Sequence, residues 1–294
     1  MKNAERNIVI IALLFLIAGC SSPVKEQAVN ISNGNVNIAY IKEGNSDTAI
    51  VFVHGWCINK EYWQQQINYF SKRYITVALD LGGHGQSGLN RDSFRIEDYA
   101  ADVTATINEL NLKKVILVGH SMGGDIILEV ANNIPEKIIG FIGIDNLKDV
   151  SVGFTAEQQK QIDDFMSALK KNFDTVASAY CRGALFPPNY TDTIPVNRVI
   201  KSVQDIDSTV AIKSLQSVIN ISSKESSMIA KLKIPVHLIV SDYTPMNEAD
   251  VKKYCKAGLY VKTIHGTGHY PMIEKPREFN ELLRQTLNEI AAGK

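Results

Sequence analysis

The apolar run Val115–Val118 leads without a linker into Gly119-His120-Ser121-Met122-Gly123, and Met122–Asn132 follows at helical spacing until Pro135 stops it. A strand that becomes a helix within five residues must reverse sharply at Ser121. The flanking glycines remove the Cβ atoms that would block that reversal. Such a turn puts the serine oxygen at the carboxyl end of a parallel sheet, over a helix N-terminus whose dipole favours developing negative charge. The G-x-S-x-G pattern alone arises by chance. In this strand–turn–helix setting it marks Ser121 as a candidate nucleophile.

The rest of the chain alternates in the same way. Val29–Ser32 and Asn35–Ile41 flank Asn33-Gly34 and read as a hairpin. Ala49–Val53, Tyr74–Leu79, Val115–Val118, Ile138–Ile144, Pro235–Val240 and Tyr260–Ile264 read as strands, mostly buried on both faces. Helices are expected over Glu61–Phe70, Ile96–Leu110, Met122–Asn132 and Pro276–Ala291. This order predicts an α/β fold with a mainly parallel sheet covered on both faces and antiparallel strands at one edge. Residues 147–230 break the alternation. Ile162, Phe165, Met166, Leu169, Phe173, Val176 and Tyr180 fall at helical spacing, as do Ile212, Leu215 and Ile219. They predict amphipathic helices with no strand between them, for most of these residues plain packing and as a group a small cap.

The chain has 294 residues, 31 basic and 31 acidic, so it carries no electrostatic footprint for nucleic acid. Hydrophobic residues at 45% and charged residues at 21% exclude a disordered chain. Four cysteines are too few for a disulfide scaffold.

A serine nucleophile needs a base. Of six histidines, His54 and His84 lie in Gly-containing loops as backbone-shaping residues, His120 is held inside the turn, and His237 lies in a strand. His265 ends a strand, and His269 follows in Gly266-Thr267-Gly268-His269-Tyr270-Pro271. A loop leaving the last strand at the same sheet end can bring His269 onto Ser121, which makes it the candidate base. An oxyanion needs two backbone N–H groups. Met122, after the nucleophile, offers one, and the loop His54-Gly55-Trp56 offers the other through Trp56. His265 and His269 lack metal-ligand spacing, and the chemistry calls for no metal or organic cofactor.

Together, His54-Gly55-Trp56, Asp80-Leu-Gly-Gly-His-Gly-Gln-Ser87, Gly119-His-Ser-Met-Gly-Gly124 and Gly266-Thr-Gly-His269-Tyr-Pro-Met-Ile-Glu resemble the α/β-hydrolase superfamily. The resemblance spans about 28 to 294. It implies an eight-stranded sheet, a helical cap at 147–230 between core segments 28–146 and 231–294, and a Ser-His-acid triad acting on a small-molecule ester or related acyl bond. Serine at the nucleophile position sets the chain apart from the branches that carry Asp or Cys there. The superfamily's acid usually follows the penultimate strand, where this chain has Thr244. Asp242 is two residues early, and Asp145, at the end of Phe141-Ile-Gly-Ile-Asp145, matches the position another branch uses. We take Asp145 as the acid, with Asp242 as the alternative. The fold hosts many chemistries. An acyltransferase using the same residues, or a ligand-binding or sensory protein without turnover, are the other readings.

The N-terminus reads as an address. A charged start, an apolar run from Ile8 to Ala18, and Gly19-Cys20 form the parts of a secretory signal too short to span a bilayer. Leu16-Ile17-Ala18-Gly19-Cys20 resembles a bacterial lipobox, with Ile17 where Leu is commoner. It implies a signal over 1–19, lipidation at Cys20, a polar tether over 20–27 and a membrane-anchored protein of the cell envelope, with Ser21 favouring the outer membrane.

Overall fold

The computed structural model describes residues 36–150 and 153–294, and the backbone course of 26–31. The lipobox and Asn33-Gly34 lie outside the described residues. Eight strands form one sheet: β1 (Glu26–Ile31), β2 (Val36–Glu43), β3 (Thr48–Val53), β4 (Ile75–Leu79), β5 (Lys114–His120), β6 (Ile138–Ile144), β7 (Val236–Ser241) and β8 (Leu259–Ile264). Their order is β1-β2-β4-β3-β5-β6-β7-β8. β2 runs antiparallel to both β1 and β4, and every pairing from β4 to β8 is parallel. This is the expected mainly parallel sheet with its antiparallel edge. One boundary is corrected. Glu26 and Gln27 pair with Ile41 and Tyr40, so they belong to β1 rather than to a tether over 20–27.

The inner parallel strands are Val- and Ile-rich because both faces are covered, whereas the edge strand β8 is partly exposed. Helices α1 (Gln64–Phe70), α2 (Ile96–Glu109) and α3 (Met122–Asn133) follow β3, β4 and β5. Five helices separate β6 from β7: α4 (Ala156–Lys171), α5 (Phe173–Ala184), α6 (Thr193–Asp205), α7 (Ser208–Ser222) and α8 (Glu225–Ile229). α9 (Glu248–Tyr254), α10 (Pro271–Glu274) and α11 (Pro276–Ala291) complete the chain. α1 and α11 pack together, as do α2 and α3. α4, α5, α6 and α7 pack on one another, with α7 also on α2 and α3, while α8 packs on α3 and α9. α9 escaped the sequence reading because its seven residues show only Val251 to the core; Asn247 caps it by accepting from the Asp250 amide. Among the described residues no helix is long and apolar enough to cross a membrane.

The connections reverse direction across the sheet at β3, with β4 on one side and β5 on the other. Ligand sites in open α/β sheets form at such a point, beyond the strands' carboxyl ends. Register brings those ends level: Val53 lies beside Gly119, His120 beside Ile144, Ile144 beside Ile239, and Ser241 beside Ile264. The loops carrying residues 54–56, 121, 145, 241–244 and 265–269 therefore converge.

Candidate active site

Ser121 sits at φ 52° and ψ −123°, a left-handed backbone that a side chain rarely adopts. The surrounding packing holds it there. A Cβ on Gly123 would lie 2.4 Å from the Val53 carbonyl oxygen, so only glycine lets the end of β3 rest on the start of α3. A Cβ on Gly55 would lie 3.1 Å from the Ser121 Cβ and 2.7 Å from the His120 Nδ1. The loop His54-Gly55-Trp56 is thus pressed against the Ser121 turn. His54 shapes it: Nδ1–H donates to the Gly55 carbonyl at 2.8 Å, and Nε2 accepts the Leu81 amide at 3.0 Å.

The Trp56 and Met122 amides make no hydrogen bond among the described residues. Met122 is the first residue of α3, where amides lack an intrahelical partner. The Trp56 indole is mostly buried, and its Nε1–H donates to the Ala211 carbonyl of α7 at 2.8 Å. Its ring meets Phe173 edge-on at 6.2 Å and Tyr180 at 6.4 Å, and Phe165 lies 5.0 Å from Tyr180. Trp56 is therefore a packed aromatic that joins the loop His54-Gly55-Trp56 to α5 and α7, and through Tyr180 to α4.

His269 is held from three sides. Its amide donates to the Leu185 carbonyl at 2.8 Å, just past α5. Glu274 accepts the amides of Gly268 at 2.7 Å and Tyr270 at 2.8 Å, bracketing the histidine. His120 Nε2–H donates to the His269 carbonyl at 2.6 Å, and the two rings lie 4.7 Å apart. Because His120 adjoins Ser121 in the chain, this contact puts the His269 loop against the serine turn. Ser121 Oγ and His269 Nε2 are not hydrogen-bonded to each other among the described residues; such bonds commonly tighten only with substrate bound.

The two candidate acids part company here. Asp145, buried at the end of β6, accepts His269 Nδ1–H on Oδ2 at 2.6 Å. Asp242, exposed after β7, accepts His265 Nδ1–H at 2.9 Å and the Gly266 amide at 3.0 Å. Burial pushes the Asp145 carboxyl up, but the hydrogen bond and charge of His269, with Lys148 beside it, outweigh burial and hold it well below the usual carboxylate range. With Nδ1–H committed to Asp145, neutral His269 presents an unprotonated Nε2. Burial drives the neighbouring His120 down to about 3, so that ring stays neutral.

Lys148 escaped the sequence reading. Its Nζ lies 2.7 Å from Asp145 Oδ1. Asp145 and Lys148 are three apart outside any helix, so no periodicity flags the pair; the signal available was only a lysine just past a strand-end aspartate. Cys57, Cys181 and Cys255 are buried free thiols. No metal-binding cluster of His, Cys, Asp or Glu occurs among the described residues.

Residues 48–276 match the α/β hydrolase fold family, and the chain belongs to it. It is similar to an uncharacterised protein of Mycobacterium tuberculosis, 23% identical over 259 residues that cover 83% of this chain and 76% of that one. It is also similar to the (E)-2-((N-methylformamido)methylene)succinate hydrolase of Acinetobacter baylyi, 35% identical over 112 residues, 38% of this chain and 42% of that protein. Among solved structures, a bromoperoxidase from Bacillus anthracis superposes with a TM-score of 0.78 at 17% identity, covering 90% of this chain and 100% of that one. A thermophilic esterase from Thermogutta terrifontis gives 0.76 at 17% identity, covering 90% and 99%. At those identities the superpositions speak for the fold.

Proposed function

We propose that the protein is a serine hydrolase acting on carboxylic esters or closely related acyl bonds, with Ser121 as nucleophile, His269 as base and Asp145 as acid. The observation that carries this reading is the 2.6 Å bond from His269 Nδ1–H to buried Asp145, on a loop fastened to the turn that presents Ser121. In this reading Ser121 Oγ attacks the carbonyl carbon and His269 Nε2 takes its proton. The amides of Trp56 and Met122 receive the oxyanion. His269 returns the proton to the leaving alcohol, and the acyl-enzyme remains. Water, deprotonated by His269, then releases the acid. The aromatic wall of Trp56, Phe173 and Tyr180 suits an apolar acyl or alcohol group over a charged one.

The test is labelling with a fluorophosphonate, in which Ser121 Oγ displaces fluoride from phosphorus, together with hydrolysis of p-nitrophenyl butyrate. Wild type should do both. Ser121→Ala should fold, escape labelling and lose on the order of 10⁶ in turnover. A folded wild type that is neither labelled nor active would overturn the proposal.

We further propose, from the residues around Cys20 alone, that the chain is lipidated there and tethered to a membrane of the cell envelope.

A further inference from the structure

We propose that Lys148 is a positioning residue of this site: its ammonium locks Asp145 with one oxygen on the end of β7 and the other on His269, and its charge lowers the pH at which His269 becomes a base. The inference rests on the triad reading above.

The backbone is bent to make the contact. Asp145 lies at φ 47° and Leu147 at φ 53°, two left-handed residues other than glycine within three positions. Aspartate tolerates that conformation; leucine does so at a cost met by the surrounding packing. The Asp145 amide donates to the Ile239 carbonyl at 2.9 Å, and the Lys148 carbonyl accepts the Asn247 amide at 2.7 Å. Both ends of the turn are thus stitched to β7 and its following loop. Folded back this way, the Lys148 side chain is mostly covered, and its Nζ faces oxygens. Its three N–H groups are shared among four oxygens: Asp145 Oδ1 at 2.7 Å, Thr244 Oγ1 at 2.7 Å, and the Ser241 carbonyl and hydroxyl at 3.0 and 3.2 Å. The Tyr243 ring lies 4.8 Å from the same nitrogen.

The two oxygens of Asp145 are divided accordingly. Oδ1 takes the Ser241 amide at 2.9 Å, the Ser241 hydroxyl at 2.6 Å and Lys148. Oδ2 takes His269 at 2.6 Å. A carboxylate whose first oxygen holds three donors cannot turn its second away from the imidazole without breaking them.

The charge has a separate effect. Asp145 stabilises the His269 imidazolium, and a cation on the same carboxylate weakens that hold. The other groups facing His269 and Asp145 do not supply the opposing charge. His120 is neutral, and the phenols of half-buried Tyr243 and buried Tyr270 are pushed up by desolvation and stay protonated. Glu274 directs its oxygens to the backbone amides on either side of His269. Removing the Lys148 charge should therefore make His269 easier to protonate and move the acid limb of the pH profile upward. A lysine that merely braced the fold would lower the rate without moving that limb.

The experiment measures the fluorophosphonate labelling rate against pH for wild type, Lys148→Met, Lys148→Arg and Asp145→Asn, each checked for folding by circular dichroism. Lys148→Met should label about tenfold more slowly, with its acid limb raised by about 0.5–1 in pH, a fraction of what a charge in direct contact exerts. Lys148→Arg should keep the wild-type limb. If Lys148→Met fails to fold, Lys148→Gln, which keeps a donor and drops the charge, should show the same raised limb. A slow Asp145→Asn beside a folded uncharged variant with the wild-type limb overturns the role of Lys148 and leaves the triad standing. An Asp145→Asn that labels as fast as wild type overturns the triad reading itself.

Discussion

At the scale of single residues, the division of labour between two aspartates is decided by burial and by which histidine each meets. Asp145 is buried and bonded to His269; Asp242 is exposed and bonded to His265. An acid that fixes the tautomer of the base and stabilises its charged form is worth about 10⁴ in kcat. Asp145→Asn should therefore lose about that much, while Asp242→Asn should stay within about tenfold of wild type. Steady-state hydrolysis of a p-nitrophenyl ester by both variants, with folding verified, checks this. The reverse pattern would move the acid to Asp242. Thr244, which stands where the acid is more usually found, instead accepts a hydrogen bond from Lys148.

At the scale of elements, the apolar stripe of α4 and α5 separates into two kinds of residue. Leu169 is fully buried, whereas Phe173 reaches the Trp56 ring and Phe165 reaches Tyr180. Leu169→Ala should act on stability, by about 2–5 kcal/mol, with acyl-length preference unchanged. Phe173→Ala and Phe165→Ala should change relative kcat/KM across a series of p-nitrophenyl esters, since one methylene in an apolar pocket discriminates by about 1–3 kcal/mol. Equal shifts for every ester would show that these helices only brace the core. The bonds from Trp56 Nε1–H to Ala211 and from the His269 amide to Leu185 tie the same helices to both sides of the site. Displacing α5 or α7 must therefore strain the loop of Trp56 or the loop of His269.

At the scale of the whole molecule, stability depends on pH from two directions. Burial lowers His54 to about 4 and His84 to about 3 from an ordinary 6.5. Below about pH 6.5 the unfolded chain takes up protons that these folded histidines refuse, so stability falls as pH drops toward about 3. The buried pair Asp125 and Glu225, joining α3 to α8, works the other way. Burial raises both, and each raises or is held by the other through a shared hydrogen bond. Above the ordinary carboxyl range, the unfolded chain has released protons that the folded pair keeps, so stability falls as pH rises until the folded pair ionises. Glu225→Gln mimics the protonated form. Its melting temperature relative to wild type should rise between pH 5 and pH 9; a constant difference would show that the pair is already ionised at low pH. The anchoring proposal is tested at this scale too. Cys20→Ala should release the protein from the membrane fraction or stall its processing, because stable attachment needs about two acyl chains. Mass spectrometry of an unmodified Cys20 in membrane-bound mature protein would defeat it.

What the sequence determined by itself is local. The strand–turn–helix at Ser121, the runs that became parallel strands and the stripes of α4 and α5 were legible because period and glycine placement act over a few residues. His269 was legible as a candidate because chain order alone places it on the last loop. The partner of His269 was legible only as a choice, Asp145 by resemblance with Asp242 as the alternative. Asp145 and Asp242 both precede it in the chain, and only the level ends of β6 and β7 put one carboxylate on His269 and the other on His265. Lys148 was invisible for the same reason. Its acceptors lie on two strand ends nearly a hundred residues apart, and no pattern along the chain carries a contact that exists only after the sheet has brought those ends together.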